Sequence, residues 1–257
     1  MAGELRAREI GADRRYFPRA ERLMPLAYEL ALSEPRTAHG RVLRAGEVLS
    51  ARGRHGRTWY APFGGLWLAL SLYDDHLPQT RGLLSLIFGL ALGWMAERLE
   101  IPARVRWLND LHYRGHKIAG VLLEKRNEWL LAGVGINVNN PPPKGLPAES
   151  LARLRGRPLN LEKLEELFLE GLRLYYGRLR ALEAELAPYE EVPPNFLAEE
   201  FRRLSDTLGR CVAWATDLEK EEPLVGWARE LEPDGTLLLE VEGKTLPLET
   251  GEVIYLF

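Results

Sequence analysis

Cysteine is nearly absent: Cys211 is the single one in 257 residues. A lone thiol excludes an intramolecular disulfide and a cysteine-built zinc site, and it suits a reducing cytoplasm. Histidine is sparse as well. His39, His55, His76, His112 and His116 show no metal-binding spacing such as His-Glu-x-x-His, so no residue is put forward as a metal ligand. No Ser-His-Asp or Cys-His set stands out. An excess of one charge is missing: the formal net charge is −3, which gives no electrostatic basis for non-specific nucleic-acid binding. Long apolar runs are missing too. The longest, Gly82 to Ala96, is shorter than a membrane span and ends in Glu97 and Arg98, so it reads as a buried helix. Met1 to Arg15 is charged and lacks the apolar stretch of a signal peptide. Lysine is rare, six residues against 28 arginines, a bias that carries no mechanism. Hydrophobic residues make up 46% of the chain, enough to build one large domain, or a large one with a small one.

What is present is concentrated in three windows. The first is Arg52-Gly53-Arg54-His55-Gly56-Arg57, between apolar runs at Val42 to Leu49 and Leu66 to Leu72. Its two glycines let the backbone bend tightly and approach a ligand closely. Its arginines suit an anion, a phosphate above all. On this window alone a solvated basic turn or a nucleic-acid contact loop is an equal reading. The second window runs from Val105-Arg106-Trp107-Leu108-Asn109-Asp110 to Lys117-Ile118-Ala119-Gly120. The third is Gly133-Val134-Gly135-Ile136-Asn137. Glycine inside a strand weakens it unless something approaches the backbone.

In this order and spacing the windows resemble the biotin protein ligase family. That family carries Gly-Arg-Gly-Arg-x-Gly-Arg-x-Trp, Lys-Trp-Pro-Asn-Asp, Lys-x-x-Gly and Gly-x-Gly-x-Asn, and the resemblance runs from about residue 20 to the C-terminus. It implies an α+β fold: a mixed sheet packed with helices, class II synthetase-like, over residues 1–204, then a small SH3-like β-barrel over 205–257. It implies ATP-dependent formation of biotinyl-5′-AMP and transfer of biotin to a lysine of a carboxylase carrier domain, with Mg²⁺ held mostly by the ATP phosphates. By the same resemblance Lys117 bridges the biotin carboxylate and the α-phosphate, and Arg54 and Asp110 join it as catalytic groups. Arg52, Gly53, Arg57, Trp59, Gly120, Gly133, Gly135 and Asn137 bind the substrates. Expected partners are the carrier domain and small molecules, without nucleic acid or membrane, and a homodimer is left open. Many family members carry an N-terminal helix-turn-helix; here only about fifty residues precede the loop, so DNA regulation is not expected.

Three positions depart from the family pattern. Val48 stands where a glutamine is usual and Ala51 where a glycine is usual. Arg22-Leu23-Met24 stands in place of Ser-Thr-Asn. The resemblance assigns these positions to the biotin pocket, so the alternatives stay open: a lipoate or octanoate ligase of the same superfamily, or a non-catalytic paralog that holds an adenylate or a carrier domain.

Pattern and punctuation predict the elements. Residues 20 to 32 and 80 to 99 read as helices, the second apolar almost all round. Arg104 to Trp107, Lys117 to Glu124 and Trp129 to Asn137 read as strands, the last two as a hairpin turning at Asn127. Asn160 reads as the N-cap of a helix reaching about Leu186. From Cys211 on, five short strands follow, the last from Glu252 to Phe257, with turns at Pro233-Asp234-Gly235 and Glu242-Gly243.

Overall fold

A strand buried along its length must be covered on both faces, and Leu66 to Leu72 are all buried. Leu66, Leu68, Leu70 and Leu72 face one core while Trp67 and Ala69 face another, as the two-residue period of a strand requires. The computed structural model describes residues 2 to 143 and 145 to 256. The chain runs α1 (Ala2–Glu9), β1 (Arg14–Ala20), α2 (Leu23–Ser33), β2 (Arg41–Val48), β3 (Leu66–Tyr73), α3 (Arg81–Arg98), β4 (Arg104–Arg106), β5 (Asp110–Tyr113), β6 (His116–Arg126), β7 (Trp129–Ile136), α4 (Leu151–Arg155), α5 (Leu161–Glu183) and α6 (Phe196–Leu204). It then enters β8 (Cys211–Ala215), β9 (Leu224–Leu231), β10 (Leu237–Val241), β11 (Lys244–Leu248) and β12 (Glu252–Tyr255).

The first seven strands form a mixed sheet ordered β1-β2-β3-β7-β6-β5-β4, in which β1 runs parallel to β2 and every other pair is antiparallel. The larger core lies between this sheet and α3, α5 and α6. Twelve of the 18 residues of α3 are buried, which accounts for its nearly uniform apolar sequence. No helix among the described residues is long and apolar enough to cross a membrane. The smaller core lies under α2, where Leu23, Ala27 and Ala31 meet Leu43, Ala45, Val48 and Leu131. The last five strands form an antiparallel sheet ordered β11-β10-β9-β8-β12.

The predicted elements are all present, with ends that move by a few residues. The last strand was expected to reach Phe257, which lies outside the described residues. Asn160 caps α5 by accepting from the Lys163 amide at 2.9 Å. Asn127, Glu242 and Gly243 take the left-handed conformation their turns need. Several elements carried too little signal to be foreseen. β1 is an edge strand with three arginines and a proline, paired on one side only. It is tied down by Arg41, whose buried guanidinium donates to Asp13, Glu34 and the Leu30 carbonyl at 2.6–3.1 Å. α4 has five residues and β5 four, too few to show a period. α6 follows two prolines, yet Asn195 marked its start by accepting from the Leu197 and Ala198 amides.

Two sets of contacts join the small sheet to the rest of the chain around Trp107 and His112. Its Pro233-Asp234-Gly235 turn receives Trp107 Nε1 on the Gly235 carbonyl at 3.2 Å and Asn195 Nδ2 on the Pro233 carbonyl at 2.8 Å. Beside it, His112 Nε2 and Tyr255 Oη each lie 2.9 Å from Asp206 Oδ1, and Arg210 donates to Oδ2. Burial pushes the Asp206 carboxyl up, but these three neighbours outweigh it and hold the carboxyl at about 2, below its ordinary 3.8. A lowered pKa in the folded state adds stability that is present above the ordinary value and is lost as pH falls through the folded one. Asp206→Asn is therefore expected to lower the melting temperature at pH 5 and to make little difference by about pH 2. Melting curves of both proteins across that range test this; a gap that stays constant would exclude the ionised network as its source.

Candidate active site

The face of β7 that carries Trp129 and Leu131 continues into Gly133 and Gly135, by the two-residue period. Gly135 lies opposite Gly120 of β6. Three glycines thus make a floor without side chains, and three side chains descend onto it. A methyl group on Gly133 would lie 2.6 Å from Met24 Sδ, and one on Gly135 would lie 2.8 Å from Trp59 Nε1. On Gly120 it would lie 2.7 Å and 2.8 Å from Lys117 Cε and Nζ and 2.9 Å from Asp110 Oδ1. The close approach expected at these glycines is real, and its agents here are Met24, Trp59 and Lys117.

Lys117 is the second residue of the long strand β6, and Asp110 opens β5 next to it. Lys117 Nζ stands 2.7 Å from Asp110 Oδ1, and Arg106 Nη2 stands 3.1 Å from Oδ2. Burial pushes the Asp110 carboxyl up; Lys117 and Arg106 outweigh burial and hold it below its ordinary value. Asp110 is thus a fixed anion between two cations, a charge partner and not a proton acceptor at neutral pH. The trio carries one net positive charge, and Lys117 keeps a third of its side chain exposed, so it can take an incoming anion. The Lys117 ammonium also lies 5.3 Å from the centre of the Trp59 ring, within range of a cation–π contact. Trp59 Nε1 is buried with no hydrogen-bond partner among the described residues, a donor whose cost falls if a ligand accepts from it.

Trp59 also closes the arginine loop. Its amide donates to the Ala51 carbonyl at 3.0 Å, and Arg52 bridges Thr58 across the loop. Inside, the Gly53 amide donates to the Arg57 carbonyl at 2.8 Å. His55 and Gly56 are both left-handed, at φ 55° and 76°, a sharp reversal that Gly56 makes without strain. Gly53 is different: a methyl group there would meet only the Arg57 carbonyl, at 3.8 Å. The space above Gly53 is open on the protein side.

The arginines divide. Arg52 donates to Thr58 Oγ1 at 2.9 Å and to the Gly56 carbonyl at 3.3 Å, and no carboxylate among the described residues is paired with it. Arg54 reaches the Gly251 carbonyl at 2.6 Å, and Arg57 pairs with Asp217 and Glu252. Both therefore turn to the small sheet. Asn137 is buried, accepts from Asn140 Nδ2 at 3.0 Å and shapes the end of β7. The structure thus gathers Lys117, Asp110, Gly120, Trp59, Gly133 and Gly135 in one place, with Gly53 and Arg52 on the loop above, and sends Arg54 and Arg57 elsewhere. Arg106 as the second cation on Asp110 was not foreseen, although its place four residues before Asp110 in the motif was a signal for it. Asp217 and Glu252 gave no such signal, because about 160 and 195 residues separate them from Arg57.

At its far end the floor is walled by apolar side chains. Val48 is buried with Leu23, Ala27 and Ala61, and Met24 and Ala51 pack against them. Among the described residues no group of three or more His, Cys, Asp or Glu side chains could hold a metal ion, and Asp110 is already engaged by two cations.

Gly120→Ala is expected to separate Lys117 from Asp110 and to slow the chemistry that the pair serves about tenfold or more, with the melting temperature little changed, since displaced reacting groups cost rate steeply. Steady-state rates together with a thermal melt would check it; a normal rate would mean that the pair has no part in the chemistry.

A sheet with a glycine floor, a lysine–aspartate pair and an arginine loop above it defines the class: a ligand-activating domain of the biotin and lipoate ligase type. The Biotin/lipoate A/B protein ligase family matches residues 40–140. The biotin–[acetyl-CoA-carboxylase] ligase of Mycobacterium tuberculosis is 33% identical over 223 residues, which span 84% of this chain and 79% of that one. The bifunctional ligase/repressor BirA of Escherichia coli is 27% identical over 215 residues, spanning 79% of this chain and 63% of that one. Among solved structures, the biotin protein ligase of Aquifex aeolicus in complex with biotin and ATP superposes with a TM-score of 0.74 at 23% identity, over 95% of this chain and 98% of that one. That likeness establishes the fold. The chain belongs to the biotin protein ligase family.

Proposed function

We propose that this protein is an ATP-dependent biotin protein ligase. It joins biotin to AMP and passes the biotinyl group to a lysine of a carboxylase carrier domain. The observation that carries this reading is the Lys117–Asp110–Arg106 cluster over the glycine floor, in a chain a third identical to a biotin–[acetyl-CoA-carboxylase] ligase.

In the first half-reaction a biotin carboxylate oxygen attacks the α-phosphorus of ATP. A P–O bond forms, the bond to the β-phosphate oxygen breaks, and pyrophosphate leaves. The nucleophile and its target are both anions, so the chief task is to place positive charge between them. Lys117 supplies it, and Asp110 holds the ammonium in place. Arg52 and the open backbone at Gly53 face the phosphates. In the second half-reaction the carrier's lysine nitrogen attacks the acyl carbon, the bond to the phosphate oxygen breaks, AMP leaves, and the nitrogen gives up a proton to solvent. Asp110 orients the incoming amine by accepting from it. The indole N–H of Trp59 and the Asn137 end of β7 complete the adenylate side. Magnesium, arriving with ATP, neutralises the phosphates. Residues 1–204 form the catalytic unit and residues 205–257 a small β unit. The protein works in the cytoplasm, as a monomer or a homodimer, without nucleic acid.

The test is incubation of the protein with biotin, MgATP and a biotin carrier domain. A carrier mass increase of one biotinyl group is expected, and an unmodified carrier after long incubation would refute the reading. The apolar wall of Met24, Val48 and Ala51 favours one second reading, a paralog that keeps the fold and does not activate biotin. Replacing biotin with lipoate or octanoate in the same assay separates a lipoate-type ligase from both.

A further inference from the structure

The loop arginines were expected to reach for the ligand, yet one of them is engaged by carboxylates of the small sheet. Arg57 Nη1 donates to Glu252 Oε1 at 3.0 Å, and Nη2 donates to Asp217 Oδ1. Glu219 lies 3.2 Å from Nε, at an angle that makes no hydrogen bond. The acceptors are themselves held. Asp217 receives the Glu219 amide and an ion pair from Lys220, and Glu252 Oε2 receives the Leu218 amide. Next to Arg57, His55 lies 2.9 Å from the Thr216 carbonyl, and Arg54 donates to the Gly251 carbonyl. Three consecutive polar anchors of the loop thus end on one rim of the small sheet, while Arg52 points elsewhere.

We propose that Asp217 and Glu252 are positioning residues: by holding Arg57 they fix the arginine loop in the posture that presents Arg52 and the Gly53 backbone to the phosphates of the nucleotide. This rests on the ligase reading for the identity of the nucleotide; the latch itself rests on the contacts. Three features support it. Arg57 already has two or three anions around it, so its charge is spent locally and a phosphate gains little from it. Within the loop, apart from its two-rung base, the backbone bonds are Gly53 to Arg57 and Arg57 to Arg54, and Arg52 donates to the Gly56 carbonyl. A Gly-containing loop with so few bonds opens easily unless it is tied from outside. Lastly, the small sheet has separate ties, at Trp107–Gly235 and His112–Asp206–Tyr255. Cutting the latch therefore loosens the loop, which keeps the Arg54 and His55 contacts, without undocking the sheet.

The experiment uses the full chain carrying Asp217→Asn and Glu252→Gln together. Without ligand, amide hydrogen exchange over residues 51–58 is expected to speed up about tenfold or more, with residues 107–113 unchanged. In biotin-dependent pyrophosphate exchange the KM for MgATP should rise about tenfold, with kcat and the KM for biotin within about threefold of the unsubstituted protein. Arg57→Gln alone should reproduce this, and adding it to the double variant should change little, because residues of one network are not additive. Unchanged exchange in the loop would overturn the latch. An unchanged or lowered KM for MgATP would overturn its positioning role and make it an obstacle to the nucleotide. A further loss on adding Arg57→Gln would show that Arg57 itself meets the phosphates, and would also overturn it. If the unsubstituted protein gives no biotin-dependent exchange, the ligase reading fails, and the hydrogen-exchange arm still decides the latch.

Discussion

Lys117→Ala is expected to slow adenylate formation by about two orders of magnitude or more, which corresponds to at least about 3 kcal/mol of lost transition-state stabilisation. The size follows from the electrostatics. With Lys117 present, the Lys117, Asp110 and Arg106 trio carries a net positive charge. Without it the trio is neutral, and the region that must receive a carboxylate and a triphosphate together has no free cation beside the floor. The fold has little reason to suffer. The Lys117 side chain is a third exposed, and Asp110 keeps Arg106. An unaltered melting temperature with a collapsed rate of biotin-dependent pyrophosphate exchange is the expected pair of results. Exchange within tenfold of the unsubstituted protein would sink the role given to Lys117.

The second large effect concerns the wall at the other end of the floor. A ureido ring needs hydrogen-bond partners, and Val48, Ala51 and Met24 offer no side-chain donor or acceptor of that strength. Each lost partner of a buried polar group costs roughly 1–3 kcal/mol. Biotin is therefore expected to bind at least about ten times more weakly than to a family member with the usual glutamine, with ATP less affected. Val48→Gln combined with Ala51→Gly should tighten biotin. The structure adds a second signature. Val48 is buried among Leu23, Ala27 and Ala61, so a glutamine there lacks partners until biotin arrives. The double variant should melt lower than the unsubstituted protein when empty and recover more on adding biotin. Calorimetry together with thermal melts decides the matter. Ordinary tight binding by the unsubstituted protein would mean that the wall is polar by some other route. No binding even by the double variant would favour the non-catalytic paralog.

Much of this architecture was written in local sequence. The alternation from Leu66 to Leu72, the cap at Asn160 and the turns at Asn127 and Glu242-Gly243 each act over a few residues, so pattern and turn chemistry suffice to place them. The glycines at 120, 133 and 135 were legible as places of close approach for the same reason: a missing side chain inside a strand needs a neighbour to fill the space. Pairing partners were not legible. β1 runs parallel to β2 and is held by the buried Arg41, and nothing in seven residues containing three arginines and a proline announces that.

The loop shows the boundary most clearly. By itself the sequence determined that residues 52–57 form a tight cationic turn, because glycine freedom and arginine charge belong to the residues wherever they sit. It did not determine that Lys117 and Asp110 stand on neighbouring strands: β5 is too short to show a period, although the turn at Arg114-Gly115 is what joins it to β6. Only the tertiary structure decided which arginine has its charge compensated by carboxylates. That choice depends on carboxylates some 160 to 195 residues away, carried to Arg57 by a second sheet docked at its own contacts. Charge is a property of a residue, whereas the compensation of charge is a property of the fold: the field at Arg52 and at Arg57 differs because one faces open space and the other faces Asp217 and Glu252.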